Sequence, residues 1–277
     1  MVGDDFGGDY TKWTSGAIAD DGCLYCFPHQ HARILKFNPK DNTTIFVGEE
    51  IKGHCKYSGT AKGKNGCLYG IAFCASRIAK FNVNTQNVTF IGDIYEYGLL
   101  CSCGVEGMDD NIYGVSFVHH KWLKIDIATE TTSLFGDILP KEGISKHNGV
   151  VVGEDGDIYA IPAGADKVIK FNSTTQEMSE VGNCYDGDYK WTGGALHSNG
   201  YIYCPPHRTD KVLKIKTNHI RDEGNNLLES NASLTDINKY INTNQFAYIY
   251  VTHKVFYDRL LSYRINLIVE TAKLALE

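Results

Sequence analysis

Four pairs of residues set a cation beside a ring at matching points of the chain: Lys12-Trp13, Lys56-Tyr57, Lys146-His147 and Lys190-Trp191. A fifth matching point carries Leu100-Cys101 instead. Lysine supplies a localised positive charge. An indole, phenol or imidazole supplies a flat face for stacking or cation–π contact. Together they suit an anionic or polyhydroxylated ligand, or an acidic peptide. Two further sets keep step with the pairs. One is His29, Phe73, Phe117, Ala163 and His207, preceded by Pro28, Pro162 and Pro206 in three units. The other is wholly basic: Arg33, Arg77, Lys121, Lys167 and Lys211. A bland account covers the same residues. A repeating position can recur because each unit needs the same strand-edge cap or ion pair, and long basic stems cover apolar surface.

Other groups with chemistry are scattered. His29 and His31, and the pair His119-His120, have the spacing of metal ligands, but no carboxylate lies near them in sequence. Glu106 aligns with Ile18, Lys62, Val152 and Leu196. An ion pair with Lys62 explains it simply; a general base or metal ligand is the alternative. Asn148 is a second candidate ligand for a divalent metal. Nine cysteines are present. Cys23 and Cys26 have CxxC spacing, but in a strand they point to opposite faces and no second CxxC completes a zinc site. Cys101 and Cys103 share a face. No GxSxG, Walker A or HExxH motif occurs.

The elements that must position these residues repeat. Tyr25, Tyr69, Tyr113, Tyr159 and Tyr203 follow one another at 44, 44, 46 and 44 residues. Asp21-Gly22, Asn65-Gly66, Asp155-Gly156 and Asn199-Gly200 are tight-hairpin signals just before four of them. After the tyrosine strand comes a third strand: RILKF, RIAKF, KWLKI, KVIKF or KVLKI. A fourth strand ends in glycine, as in TIFVG or VTFIG. Four short antiparallel strands per unit predict a propeller blade. The expected fold is therefore all-β: a β-propeller of five four-stranded repeats over 1–218, at about 5–48, 49–93, 94–137, 138–183 and 184–218. Within a blade the start of strand one and the loop between strands two and three share a face, so the three sets converge at the channel mouth.

The fifth unit lacks a recognisable fourth strand after Ile215. Residues 1–4 align with the end of unit four, so they are expected to complete the last blade and close the ring, since an unclosed sheet edge invites aggregation. Residues 219–277 break the period. Ser233 offers an N-cap, and Val251, Val255, Leu261, Ile265, Ile268, Ala272 and Leu276 fall near helical spacing, which predicts a C-terminal α-helical appendage.

The phrase KWTGGALHSNGYIYCPPHRTDKVLKI resembles uncharacterised kelch- or NHL-like propeller proteins of unicellular algae. The shorter phrase NGxIY…VLKI resembles blades of NHL-repeat and gluconolactonase-like propellers. The resemblance covers nearly the whole chain and implies the fold more than an activity. Gluconolactonase-like enzymes imply Glu, Asn and Asp on a central divalent metal. Glu106 and Asn148 stand at channel-side positions, and no matching Asp is found.

Composition limits the partners. Hydrophobic residues make up 43% and the formal net charge is −6, a globular profile with no electrostatic footprint for nucleic acid. No signal peptide and no run of about 18 apolar residues is present, so a cytoplasmic setting and no membrane partner are expected. The expected function is a non-catalytic binding module with a small molecule or an acidic peptide or protein at the mouth, needing no cofactor. The alternatives are a metal-dependent gluconolactonase-like hydrolase and NHL-type RNA binding.

Overall fold

The structure is a computed structural model that describes residues 3–8, 11–96, 98–116, 121–137 and 147–217. The expected helices, Lys146, Phe117 and the His119-His120 pair lie outside the described residues. Among the described residues every regular element is a β-strand. The strands form five antiparallel sheets in chain order. Blade 1 is β1 (Ala17–Ile18), β2 (Leu24–Cys26), β3 (Ile34–Asn38) and β4 (Thr43–Val47). Blade 2 is β5 (Tyr57–Lys62), β6 (Cys67–Ala72), β7 (Ile78–Asn82) and β8 (Val88–Ile91). Blade 3 is β9 (Cys101–Glu106), β10 (Ile112–Ser116), β11 (Lys121–Asp126) and β12 (Thr131–Asp137). Blade 4 is β13 (His147–Val152), β14 (Ile158–Pro162), β15 (Val168–Asn172) and β16 (Glu177–Val181). Blade 5 is β17 (Ala195–Leu196), β18 (Tyr201–Cys204) and β19 (Leu213–Lys216). Each sheet is a meander, with sequential strands side by side.

The tyrosine period has a concrete cause. Each tyrosine hydroxyl bonds the turn residue four positions earlier: Tyr25 to Asp21 at 2.8 Å, Tyr113 to Asp109 at 2.6 Å and Tyr159 to Asp155 at 2.7 Å. In blades 2 and 5 the turn residue is an asparagine, whose amide donates to Tyr69 at 2.9 Å and to Tyr203 at 3.0 Å. Each tyrosine also faces a lysine across the ladder: Lys36, Lys80, Lys124, Lys170 and Lys214. Where the turn residue is Asp, that lysine reaches it, at 2.9 Å for Lys36–Asp21 and 2.8 Å for Lys170–Asp155. Where it is Asn, the lysine goes elsewhere. Lys80 pairs with Glu130 at 2.5 Å, and Lys214 sits over the Tyr201 ring at 4.1 Å. Turn and ring are thus tied in every blade, with the cation joining them in blades 1, 3 and 4, and the apolar ring fills the space between blades. Tyr25 meets Phe81 of blade 2 at 5.7 Å, and Tyr113 meets Phe171 of blade 4 at 5.0 Å.

Burial shows how the blades are arrayed. In blades 2 and 4 the second strand is buried at every residue; in blades 1 and 5 burial alternates with half-exposed residues. A second strand packed on both faces is fully apolar, and one packed on a single face alternates. Blades 1 and 5 are thus covered less than blades 2 and 4. Residues 3–8 do not supply the missing fourth strand of blade 5. The Asp4 amide bonds Thr44 Oγ1 at 3.2 Å, and Phe6 packs on Phe46 at 5.4 Å, both partners lying in β4 of blade 1. The expected completion of the last blade by these residues is corrected: the burial of Phe6 against Trp13 and Phe46 holds them on blade 1.

Candidate functional site

The blade entries and the strand two–three loops do share a face. The Lys56 amide donates to the His29 carbonyl at 2.9 Å, and the Phe73 amide donates to the Lys56 carbonyl at 2.8 Å. Lys190 makes the matching bonds, to Ala163 at 3.0 Å and from His207 at 2.8 Å. In blade 3, Leu100 keeps the backbone bond, to Phe73 at 2.9 Å, without a cation.

The lysines at this face are not offered to solvent. Lys56 and Lys190 are buried. Lys56 Nζ donates to the carbonyls of His31 at 2.8 Å, Gly53 at 2.9 Å and His29 at 3.4 Å. Lys190 Nζ donates to Gly187 at 2.7 Å, Ala165 at 2.9 Å and Ala163 at 3.1 Å. The offsets are the same in both: 3, 25 and 27 residues earlier. Each ammonium therefore ties its own entry turn to the loop of the preceding blade. The carbonyl three residues earlier belongs to a glycine at φ +110° or +100°, a backbone that a side chain would strain. Burial pulls both lysines below their usual range. Lys12 is half-buried and bonds only Gly8, at 2.9 Å, because no blade precedes it among the described residues.

The aromatic partners are also structural. Trp13 and Trp191 Nε1 donate to the carbonyls of Arg33 at 3.1 Å and Lys211 at 2.7 Å, each twenty residues on. His147 Nε2 reaches the Lys167 carbonyl at 3.0 Å across the same interval. The Trp13 ring is packed by His31 at 4.6 Å and Phe6 at 5.2 Å, and the Trp191 ring by Tyr185 at 4.9 Å. Tyr57 is buried against Phe27 at 5.7 Å. His29 Nδ1 bonds the Tyr57 carbonyl at 3.0 Å, and His207 Nδ1 bonds the Tyr189 carbonyl at 3.1 Å. Among the strand-three basics, Arg77 is spent on the Gly92 carbonyl at 2.9 Å and Lys167 on Glu180 at 2.7 Å. Arg33 is half-buried, and Lys211 is exposed.

Glu106 and Asn148 do not converge. Ile18, Lys62, Glu106, Val152 and Leu196 are each the last residue of an inner strand, as aligned. Asn148 lies four residues before Val152, near the other end of β13. At about 3.3 Å per residue that is roughly 13 Å along the channel, far beyond a shared metal. Nor does Glu106 pair with Lys62. Glu106 Oε1 accepts from the Lys64 amide, while Lys62 pairs with Asp20. Burial raises the Glu106 carboxyl above its usual range. The divalent metal of a gluconolactonase does not fit these two residues. No metal-ligating cluster of three His, Cys, Asp or Glu exists among the described residues. Cys23, Cys101, Cys103 and Cys204 are buried, and burial raises each thiol.

Residues that spacing did not single out lie beside the lysine cages. The slot just before each caged lysine and the slot after each loop residue are hydrogen-bonded through the backbone. They bring together Thr11 with Gln30 at 3.2 Å, Cys55 with Cys74 at 2.9 Å and Tyr189 with Arg208 at 3.0 Å. The constant interval of nineteen residues is a signal visible only once the cage register is known. In blade 5 the Arg208 guanidinium lies over the Tyr189 ring at 4.6 Å. In blades 1 and 2, Gln30 Nε2 donates to Cys55 Sγ at 3.1 Å, and His54 Nδ1 approaches Gln30 Oε1 at 3.4 Å.

Five radially adjacent four-stranded or three-stranded meanders define the class as a β-propeller. No family model and no curated protein sequence matches the chain. Solved structures do. A catalytically inactive virginiamycin B lyase from Staphylococcus aureus with quinupristin superposes with a TM-score of 0.67 at 14% identity, over 82% of this chain and 71% of that one. A streptogramin B lyase gives 0.64 at 15% identity, over 85% and 70%. The extracellular domain of a one-component system protein from Bacteroides thetaiotaomicron gives 0.57 at 11% identity, over 82% and 32%. Likeness at such identities shows the fold.

Proposed function

We propose that the chain is a propeller binding module whose ligand meets the mouth face through the side chains beside the lysine cages, not through the caged lysines. The observation that carries this is Arg208. It is exposed, held over the Tyr189 ring at 4.6 Å, and set next to His207 on the loop that follows β18. A guanidinium braced by a ring is a preorganised donor for a carboxylate or phosphate. An acidic peptide or an anionic small molecule is the class of ligand that this donor selects. Lys12, Arg33 and Lys211 are further cations of the mouth sets that form no ion pair with a described side chain. A hydrolase of the gluconolactonase kind has no support from the separated Glu106 and Asn148, and the net charge of −6 works against RNA.

The test is an array of acidic peptides and small organic anions bound to the full chain, repeated with Arg208→Ala and Tyr189→Ala. Binding at least ten-fold weaker in both variants, with unchanged thermal unfolding, is the expected result. Ligands that bind all three proteins equally would sink the reading.

A further inference from the structure

The junction of blades 1 and 2 gathers groups for which the binding reading has no use. Cys55 lies in the entry segment to β5, and Cys74 lies in the loop between β6 and β7. The Cys74 amide donates to the Cys55 carbonyl at 2.9 Å. A backbone bond draws the two residues to the separation at which disulfides form, a Cα distance of about 4.4–6.8 Å. Both are free thiols. Cys55 is half-buried and Cys74 is exposed, so a small reagent can reach the pair.

Gln30, from the preceding blade, supplies the polar contact. Its Nε2 donates to Cys55 Sγ at 3.1 Å. An N–H donated to sulfur favours the thiolate over the thiol. The Cys74 thiol, with His29 and Gln30 after it, lowers Cys55 below the usual thiol range against the opposing effect of burial, while Cys55 and burial hold Cys74 above that range.

We propose that Cys55 and Cys74 form a redox-active dithiol that reduces hydroperoxides, with Cys55 as the attacking thiolate and Cys74 as the resolving thiol. The Cys55 sulfur attacks one peroxide oxygen, so an S–O bond forms and the O–O bond breaks. The leaving oxygen takes up the proton that the Cys55 thiol released to solvent and departs as water, or as an alcohol from an organic hydroperoxide. Cys74 then attacks the sulfenic sulfur. The S–S bond forms, the S–O bond breaks, and the Cys74 proton leaves with the hydroxyl as a second water. Two electrons pass from the thiols to the peroxide. Blade geometry makes the pairing general, since Thr11 with Gln30 and Tyr189 with Arg208 occupy the same two slots. The chemistry belongs to the one blade where both slots are cysteine.

The test uses the reduced full chain with one equivalent of hydrogen peroxide and maps cysteines by mass spectrometry. A Cys55–Cys74 disulfide is expected before any other cysteine changes. Cys74→Ser should stop at a Cys55 sulfenic acid that a cyclic diketone traps. At pH 6, iodoacetamide should alkylate Cys55 of Cys74→Ser at least ten-fold faster than the exposed Cys184, and Gln30→Ala should slow that rate about three-fold. Oxidation that reaches Cys184 first, or Cys55 alkylating no faster than Cys184, would overturn the proposal. An unchanged Cys55 rate in a folded Gln30→Ala protein would overturn the part given to Gln30. The disulfide map uses the unaltered chain, so it decides even where that variant fails to fold.

Discussion

The ammonium of Lys56 donates to the backbone carbonyl of His31 at 2.8 Å, across the boundary between two blades. Lys190 repeats the contact with Ala165 at 2.9 Å. A buried cation is costly unless its donors are all used, and here three carbonyls use them. The contact joins consecutive blades at the point where the chain crosses from one sheet to the next.

Lys190→Ala should therefore destabilise the chain by about 3 kcal/mol, since it removes charge-assisted bonds and strands buried carbonyls. Lys56→Ala should cost a similar amount. Lys12→Ala, which loses one exposed bond, should cost under about 1 kcal/mol. Urea unfolding of the three variants separates the cases. Equal, small effects at all three positions would show that the cages are not structural.

The tyrosine clamp makes a second prediction. Tyr159→Phe keeps the ring and loses the bond to Asp155, which then keeps Lys170 as partner. The expected loss is about 1 kcal/mol. Asp155→Ala should cost about 2 kcal/mol or more, because it strips the Tyr159 hydroxyl and the Asp157 amide of their acceptor and leaves Lys170 with Asp157 alone. A chemical denaturation series that ranks Tyr159→Phe above Asp155→Ala would contradict the clamp.

Acid should weaken blade 1 first through Asp21. Burial tends to raise its carboxyl. Lys36, the Cys23 amide and the Tyr25 hydroxyl outweigh it and bring the group from 3.8 to about 2. A depressed folded value means stability that is present above the unfolded value and is lost as pH falls through the folded one. Stability should thus drop between about pH 4 and pH 2, and Asp21→Asn should flatten that part of the profile. A pH titration of the unfolding midpoint checks it.

Gly59 marks the closest approach of two inner strands. A Cβ there would stand 2.6 Å from the Cys103 Cα in the next blade. Backbone cannot yield as a flexible side chain can, so Gly59→Ala should cost about 2 kcal/mol or more and loosen blade 2 against blade 3. Amide hydrogen exchange in β5 and β9 should speed up together. Unchanged protection would mean that the strands separate without cost.

The sequence by itself determined the blade. The forty-four-residue interval, the Asp-Gly and Asn-Gly turns and the alternating strands are local, and local sterics and hydrogen bonds make them legible in one dimension. The aligned slots were also right: Ile18, Lys62, Glu106, Val152 and Leu196 do end the five inner strands. What the slots do was not legible. A lysine beside a tryptophan reads equally as a ligand clamp or as a brace, because the deciding fact is which carbonyls lie within 3 Å of its nitrogen. Those carbonyls come from the preceding blade, 25 and 27 residues away. Only tertiary packing set Cys55 against Cys74 and Gln30 and parted Glu106 from Asn148. Burial, which turns a charged group from a ligand donor into a structural tie, is a property of the assembled sheets.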